Sequence, residues 1–167
     1  IDLAHLIATG REAPRNVAPR DEEEWAKVIM GQLLMGTDMV LFDNLTSELG
    51  SDALDAVLTT TRYTGRVLGT PEMRTVPART VWAATGNNVQ LRGDLRRRPL
   101  RLRLDSQVER PEERDGWRHP DVVAWVRRER PRLATAALTI LRAYVVAGRP
   151  AQDGRWGSYE AWHALVR

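Results

Sequence analysis

The chain has 167 residues, 43% of them hydrophobic and 28% charged, with a net charge of +3, a composition that suits a globular domain, or most of one, around a sizeable core. No stretch reaches the roughly 20 uncharged apolar residues of a membrane helix, and no basic segment followed by an apolar run marks a signal peptide. Cysteine is absent and the three histidines, His5, His119 and His163, stand far apart, which excludes disulfides and thiolate metal sites and argues against a zinc cluster.

In chain order, Leu3, Leu6 and Ile7 have helical spacing and Gly10 is a stop signal, so a helix is predicted over residues 1–9. An opening on Ile1, already inside a helical pattern, is expected of a segment of something longer. Residues 11–20 hold two prolines and no period, and read as a loop. Asp21 with Glu24 forms a capping-box pattern ahead of Trp25, Val28, Ile29, Leu33 and Leu34, one apolar face of a helix that Gly36 ends. MVLFDN, residues 39–44, is an apolar run delivering Asp43 at its end, the pattern of a strand buried on both faces. Ser51 is placed to cap a short helix carrying Ala53, Leu54, Val57 and Leu58.

Residues 61–79 alternate polar and apolar around Gly69, Thr70 and Pro71 and predict a β-hairpin. Val81, Trp82, Ala83 and Ala84 repeat the buried-strand pattern and lead into Thr85, Asn87 and Asn88. A short helix is expected over 92–98 and a last strand over 99–105, PLRLRLD, from its alternation. A polar linker follows, then an all-helical end: Pro120 and Pro131 each suit a first helical position, and Ser158 a cap ahead of Trp162 and Leu165. The organisation expected is an α/β region over 1–105 and a helical region over 106–167.

All but one of the 25 basic side chains are arginine, Lys27 being the exception. Coding bias in a GC-rich genome and phosphate recognition by planar guanidinium groups both account for that skew. Placement bears on the choice, because Arg62, Arg66, Arg74, Arg79, Arg92, Arg96, Arg97, Arg98, Arg101 and Arg103 crowd the middle of the chain and suit an anionic partner.

Two strands that each end in polar side chains resemble an open α/β sheet whose ligands gather at strand C-termini. MVLFDN looks like a Walker B strand, VWAATGNN like the strand and asparagine called sensor 1, and GDLRRR like an arginine-finger segment. Together they resemble AAA+ ATPases, most closely the superfamily III helicase modules of phage and mobile-element replication proteins, over about residues 1–105. The resemblance implies a P-loop NTPase (AAA+)-like sheet with flanking helices, a hairpin insertion and a C-terminal helical bundle. It implies ATP and Mg²⁺ as cofactors, with Asp43 holding Mg²⁺ through a water, and Asn44 and Asn88 beside the nucleotide. Asn87 would orient the attacking water, and Arg98, or Arg97 in its place, would reach a neighbouring subunit's nucleotide. DNA is the implied partner, gripped at the hairpin by Arg66, Thr70, Arg74 and Arg79. Identical subunits would form a ring, typically of six, in a bacterial or phage-encoded cytoplasmic protein.

Plainer roles exist for the same residues: a capping aspartate, an Asn-Asn turn, a solvated basic helix end, a structural hairpin. The sequence also departs from the family. No Gly-x-x-x-x-Gly-Lys-Ser/Thr loop occurs in it, and Asn44 stands where many such motors place a catalytic glutamate, for which Glu48 is a substitute. The chain by itself is therefore not expected to hydrolyse ATP, and a non-catalytic scaffold for oligomerisation or nucleic-acid binding is the alternative.

Overall fold

A computed structural model describes residues 1–106, 109–151, 157, 159, 160 and 163. The fold is mixed α/β, with helices, a small parallel sheet and a separate antiparallel hairpin. The chain divides into two compact units, one of residues 13–117 together with Ile1, the other of residues 2–12 with 118–167. This division differs from the boundary expected at residue 105, because the first helix belongs with the C-terminal helix.

In the larger unit, β1 (Arg15–Asn16) pairs in parallel with β2 (Met39–Leu45), which pairs in parallel with β5 (Val81–Gly86). β1 lies inside the stretch expected to be loop. Two residues are too few to show a period, so only pairing reveals the strand. Between these strands run α2 (Glu22–Leu34), α3 (Asp52–Leu58) and the hairpin of β3 (Arg62–Arg66) and β4 (Met73–Pro77).

Local chemistry accounts for the starts of α2 and α3. The Asp21 carboxylate accepts from Glu24 N at 2.9 Å, and three glutamates fill the first turn of α2, where the helix dipole favours negative charge. Lys27 pairs with Glu23 and Glu24 on the same helix, and those hydrogen bonds, Glu24 first, raise its pKa. The Ser51 hydroxyl caps α3 by accepting from Leu54 N at 2.8 Å, while Glu22 reaches over from α2 to accept from Ala53 N at 2.7 Å.

Trp25, Ile29 and Leu33 of α2 meet Val40 and Phe42 of β2, with Leu54 and Val57 of α3 completing the core. Phe42 sits edge-on to Trp25, their ring centroids 4.9 Å apart. Burying groups of this size is the main stabilisation available to the unit, at about 1.5–3 kcal/mol per side chain.

Two expectations near the arginine segment fail. Residues 92–98 form only a 3-10 turn, Gly93–Arg96, pinned by buried Leu95. Residues 99–105 are not a strand, and Leu100, Leu102 and Leu104 are 62%, 82% and 96% exposed. Alternation alone does not make a strand, since the ladder needs a partner and the described residues offer none to this segment.

In the smaller unit, α1 (Asp2–Thr9) packs on α4 (Val122–Val146), where Leu6 and Val126 are buried. Two helices were expected here, the second starting at Pro131, yet α4 runs through that proline. Its neighbour Arg130 stays helical and donates from Nε to Leu6 O, which also accepts from Gly10 N, and from Nη2 to Ala8 O, both at 3.1 Å, so that its guanidinium covers the C-terminal end of α1. Asp121, not Pro120, marks the helix start, its carboxylate accepting from Ala124 N at 2.8 Å. Ser158, Trp162 and Leu165, expected to cap and face a last helix, lie outside the described residues. Among the described residues no helix is long and apolar enough to cross a membrane.

Candidate functional site

β2 and β5 run side by side in the same direction, so their C-terminal ends emerge together. The register pairs Phe42 with Ala84 and Leu45 with Gly86, and slips between them. Asn44 causes the slip. It takes a left-handed φ of 54°, a conformation asparagine tolerates better than most residues, and Asn88 repeats it beyond β5 with φ 52°. Gly86 is needed where β5 closes on β2, because a Cβ there would lie 2.9 Å from Leu45 O and 2.7 Å from Val89 Cγ2.

Asp43 stands at this junction. Its Oδ1 accepts from the Thr85 hydroxyl at 2.5 Å, and Thr85 Oγ1 in turn accepts from Asn44 N at 3.0 Å. Its Oδ2 accepts from Arg15 Nε of β1, also at 2.5 Å. The Thr85 hydroxyl, and after it the Arg15 guanidinium, hold the Asp43 carboxyl below the usual carboxylate range. Arg15 and Thr85 carry no assigned role in the sequence reading. Thr85 ends a legible strand, but nothing local marks Arg15, which lies 28 residues from the carboxylate it meets.

Past the strand ends, residues 45–48 and 87–90 line a cleft of about 460 Å³. Thr46, Ser47, Glu48, Asn87 and Asn88 give it a polar wall, and the Asn87 amide makes no hydrogen bond among the described residues. A parallel bridge between Leu49 and Leu91, with Leu49 N donating to Gln90 O at 2.9 Å, ties the two loops together farther along. Asp43 and Asn87 thus lie at neighbouring strand ends, but the residue that touches Asp43 from β5 is Thr85.

Among the described residues no three or more His, Cys, Asp or Glu side chains cluster as a metal site. Asp43 is a lone carboxylate, a donor set that suits Mg²⁺, which keeps most of its waters and takes its remaining ligands from phosphates. Both of its oxygens already accept hydrogen bonds, so a cation drawn to it competes with Arg15. The amides and hydroxyls of the cleft suit a polar ligand, while a glycine-lysine cradle for a triphosphate is not in the sequence.

The two candidate finger arginines differ sharply. The Arg98 side chain is 13% exposed, donating to Asp55 O at 2.9 Å and Asp94 Oδ2 at 2.7 Å, whereas Arg97 is 71% exposed and pairs with Asp94 at 3.1 Å. Arg98 fastens the 3-10 turn to α3 and is poorly placed to reach outward. Asp55, beside it, is pushed up in pKa by burial, with Arg98 pulling the other way.

The four hairpin residues also separate. Arg66 Nε donates to Thr70 O at 3.0 Å, and Thr70 is built into the turn, its hydroxyl accepting from Glu72 N at 3.2 Å. Gly69 supplies the left-handed φ of 79° that the turn requires. Arg74 pairs with Glu72 at 2.8 Å, and Arg79 is exposed just past β4 with no ion pair among the described residues. Comparison with protein-family models, with curated proteins and with solved structures gives no match to this chain.

Proposed function

We propose that this chain is part of an ATP-driven motor of the AAA+ type, nearest the superfamily III helicases, acting on DNA during phage or mobile-element replication. One observation carries the reading: Asp43 and Asn87 occupy the C-terminal ends of adjacent parallel strands, beside a polar cleft, where open α/β sheets gather their ligands. When bound, ATP and Mg²⁺ supply the phosphoryl group and offset its charge. Asp43 would hold the cation through a water, Asn87 would orient a water in the cleft, and Asn88 would contact the nucleotide. Glu48 lines the same cleft and takes the proton-accepting place that Asn44 leaves vacant. Arg97, the exposed member of its pair, is the better candidate to reach a neighbouring subunit. The ring of six, the cytoplasmic setting and the replication role rest on the motif resemblance.

A second reading, a scaffold without turnover, is favoured by the Arg15 and Thr85 bonds that already engage Asp43 and by the lack of a glycine-lysine loop in the sequence. DNA-stimulated ATP hydrolysis by the complete gene product separates the two. Asp43→Ala should lower turnover at least about 100-fold, and Arg97→Ala should lose activity that mixing with Asp43→Ala subunits restores. Wild-type protein that hydrolyses no ATP would leave the scaffold standing, and hydrolysis unaffected by Asp43→Ala would remove Asp43 from the catalytic site.

A further inference from the structure

Asp43 is gripped from its two neighbouring strands by bonds of different character. Arg15, Leu41, Asp43 and Thr85 share one face of the sheet, opposite the face through which Val40, Phe42, Trp82 and Ala84 join the core. From β5, the Thr85 hydroxyl spends its proton on Asp43 Oδ1 and accepts from Asn44 N, so it orients the carboxylate without adding charge. From β1, the Arg15 guanidinium meets Oδ2 at 2.5 Å, with the Arg15 side chain 56% exposed and that of Asp43 32% exposed.

Arg15 is able to change partner while its strand keeps its register. Asn16 also ties β1 to the unit, its amide donating to Leu41 O at 3.4 Å and its Oδ1 accepting from Gln32 Nε2 of α2 at 3.2 Å. The Arg15 side chain reaches water, so moving it opens no cavity, and its planar fork of N–H donors matches a phosphate as well as a carboxylate.

Charge decides where it goes. As they stand, Arg15 and Asp43 neutralise each other. A divalent cation arriving alone at Oδ2 meets a guanidinium of like sign, and a polyphosphate arriving alone meets a carboxylate of like sign. When the two arrive together, the cation takes the carboxylate and the phosphate oxygens take the guanidinium.

We propose that Arg15 is a phosphate-contacting residue held in reserve on Asp43, which it exchanges for a polyphosphate oxygen when a divalent cation claims the carboxylate. This deepens the motor reading and rests on its assignment of Asp43 as the seat of the cation. The exchange makes cation and polyphosphate bind cooperatively, and it discourages either from occupying the strand ends without the other.

The test compares wild type, R15Q, R15K and D43N of the complete gene product in two titrations. One uses Mn²⁺ alone, followed by electron paramagnetic resonance, and the other a fluorescent ATP analogue in saturating Mg²⁺. R15Q should bind Mn²⁺ about fivefold more tightly, having lost the competitor, and the nucleotide about tenfold more weakly, having lost the phosphate contact. R15K keeps the charge but not the fork, so its Mn²⁺ affinity should stay within about twofold of wild type while the nucleotide weakens about threefold. Opposite signs in R15Q are the signature. Removing a side chain that merely props up β1 would weaken both ligands, and removing one that merely screens Asp43 would tighten both. Thermal melts show which variants are folded, and R15K decides alone if R15Q is not. The inference is overturned if D43N loses Mn²⁺ but folded R15Q binds it as wild type does, if both R15Q affinities move the same way, or if R15K binds nucleotide as tightly as wild type. Mn²⁺ binding that D43N leaves intact, or that wild type lacks, removes Asp43 as the seat of the cation; that is a failure of the earlier reading, and the exchange falls with it.

Discussion

Residues 39–45 and 99–105 are equal in length, rich in apolar side chains, and each contains an aspartate, yet only the first is a strand. β2 has a parallel neighbour on both edges, and Val40, Leu41 and Phe42 are almost fully buried. The later segment keeps its three alternating leucines exposed. Side-chain pattern therefore reports which face a segment is able to bury, whereas backbone partners decide whether it becomes a strand at all.

The strongest way to break the comparison is to truncate one apolar residue in each segment. Phe42→Ala should cost about 3–5 kcal/mol in chemical denaturation, because it opens a cavity between Trp25 and Trp82. Leu102→Ala should stay within about 0.5 kcal/mol of wild type. Equal costs would mean that 99–105 is packed after all.

A smaller effect should separate the two arginines next to that segment. Arg98→Ala removes the fastening between the 3-10 turn and α3 and leaves Asp55 without its nearest cation, so a loss of about 1–3 kcal/mol is expected. Arg97→Ala gives up an exposed ion pair and should cost under about 1 kcal/mol. Urea midpoints of the two variants decide the order.

The smallest effect concerns pH and sharpens the comparison at the end of β2. The folded-state pKa of Asp43 lies below its unfolded value near 3.8, so its contribution is present above that value and is lost as pH falls through the folded pKa. The wild-type Tm should exceed that of Asp43→Asn at about pH 5, and the gap should close towards about pH 2. Asp94 and Glu129 are depressed in the same direction in both proteins, so the difference isolates Asp43.

Much of the fold was legible because its signals are local. Asp21 and Ser51 announce their helices, and MVLFDN carries the density of apolar residues that burial demands, whereas VWAATG is a strand as expected but not a buried one, Val81 being exposed and Trp82 to Thr85 half-buried. What escaped depends on distant partners. β1 is visible only beside β2, and Arg15 gains meaning only where it reaches Asp43. The fate of Pro131 was equally unreadable, since proline at a helix start and proline inside a helix leave the same trace in sequence, and anchoring of Arg130 on α1 accompanies the second. Of the candidate site, Asp43 and the Asn87 region could be placed from pattern, but Thr85 required the register.

With only two residues, the outermost strand of the parallel sheet has few ladder bonds of its own, and the guanidinium of Arg15 acts as a latch on the neighbouring chain end. A cation that recruits Asp43 must lift that latch, so filling the strand-end position and loosening the sheet's margin become one linked equilibrium. Amide exchange at Asn16 would then register events at a carboxylate on the adjacent, middle strand.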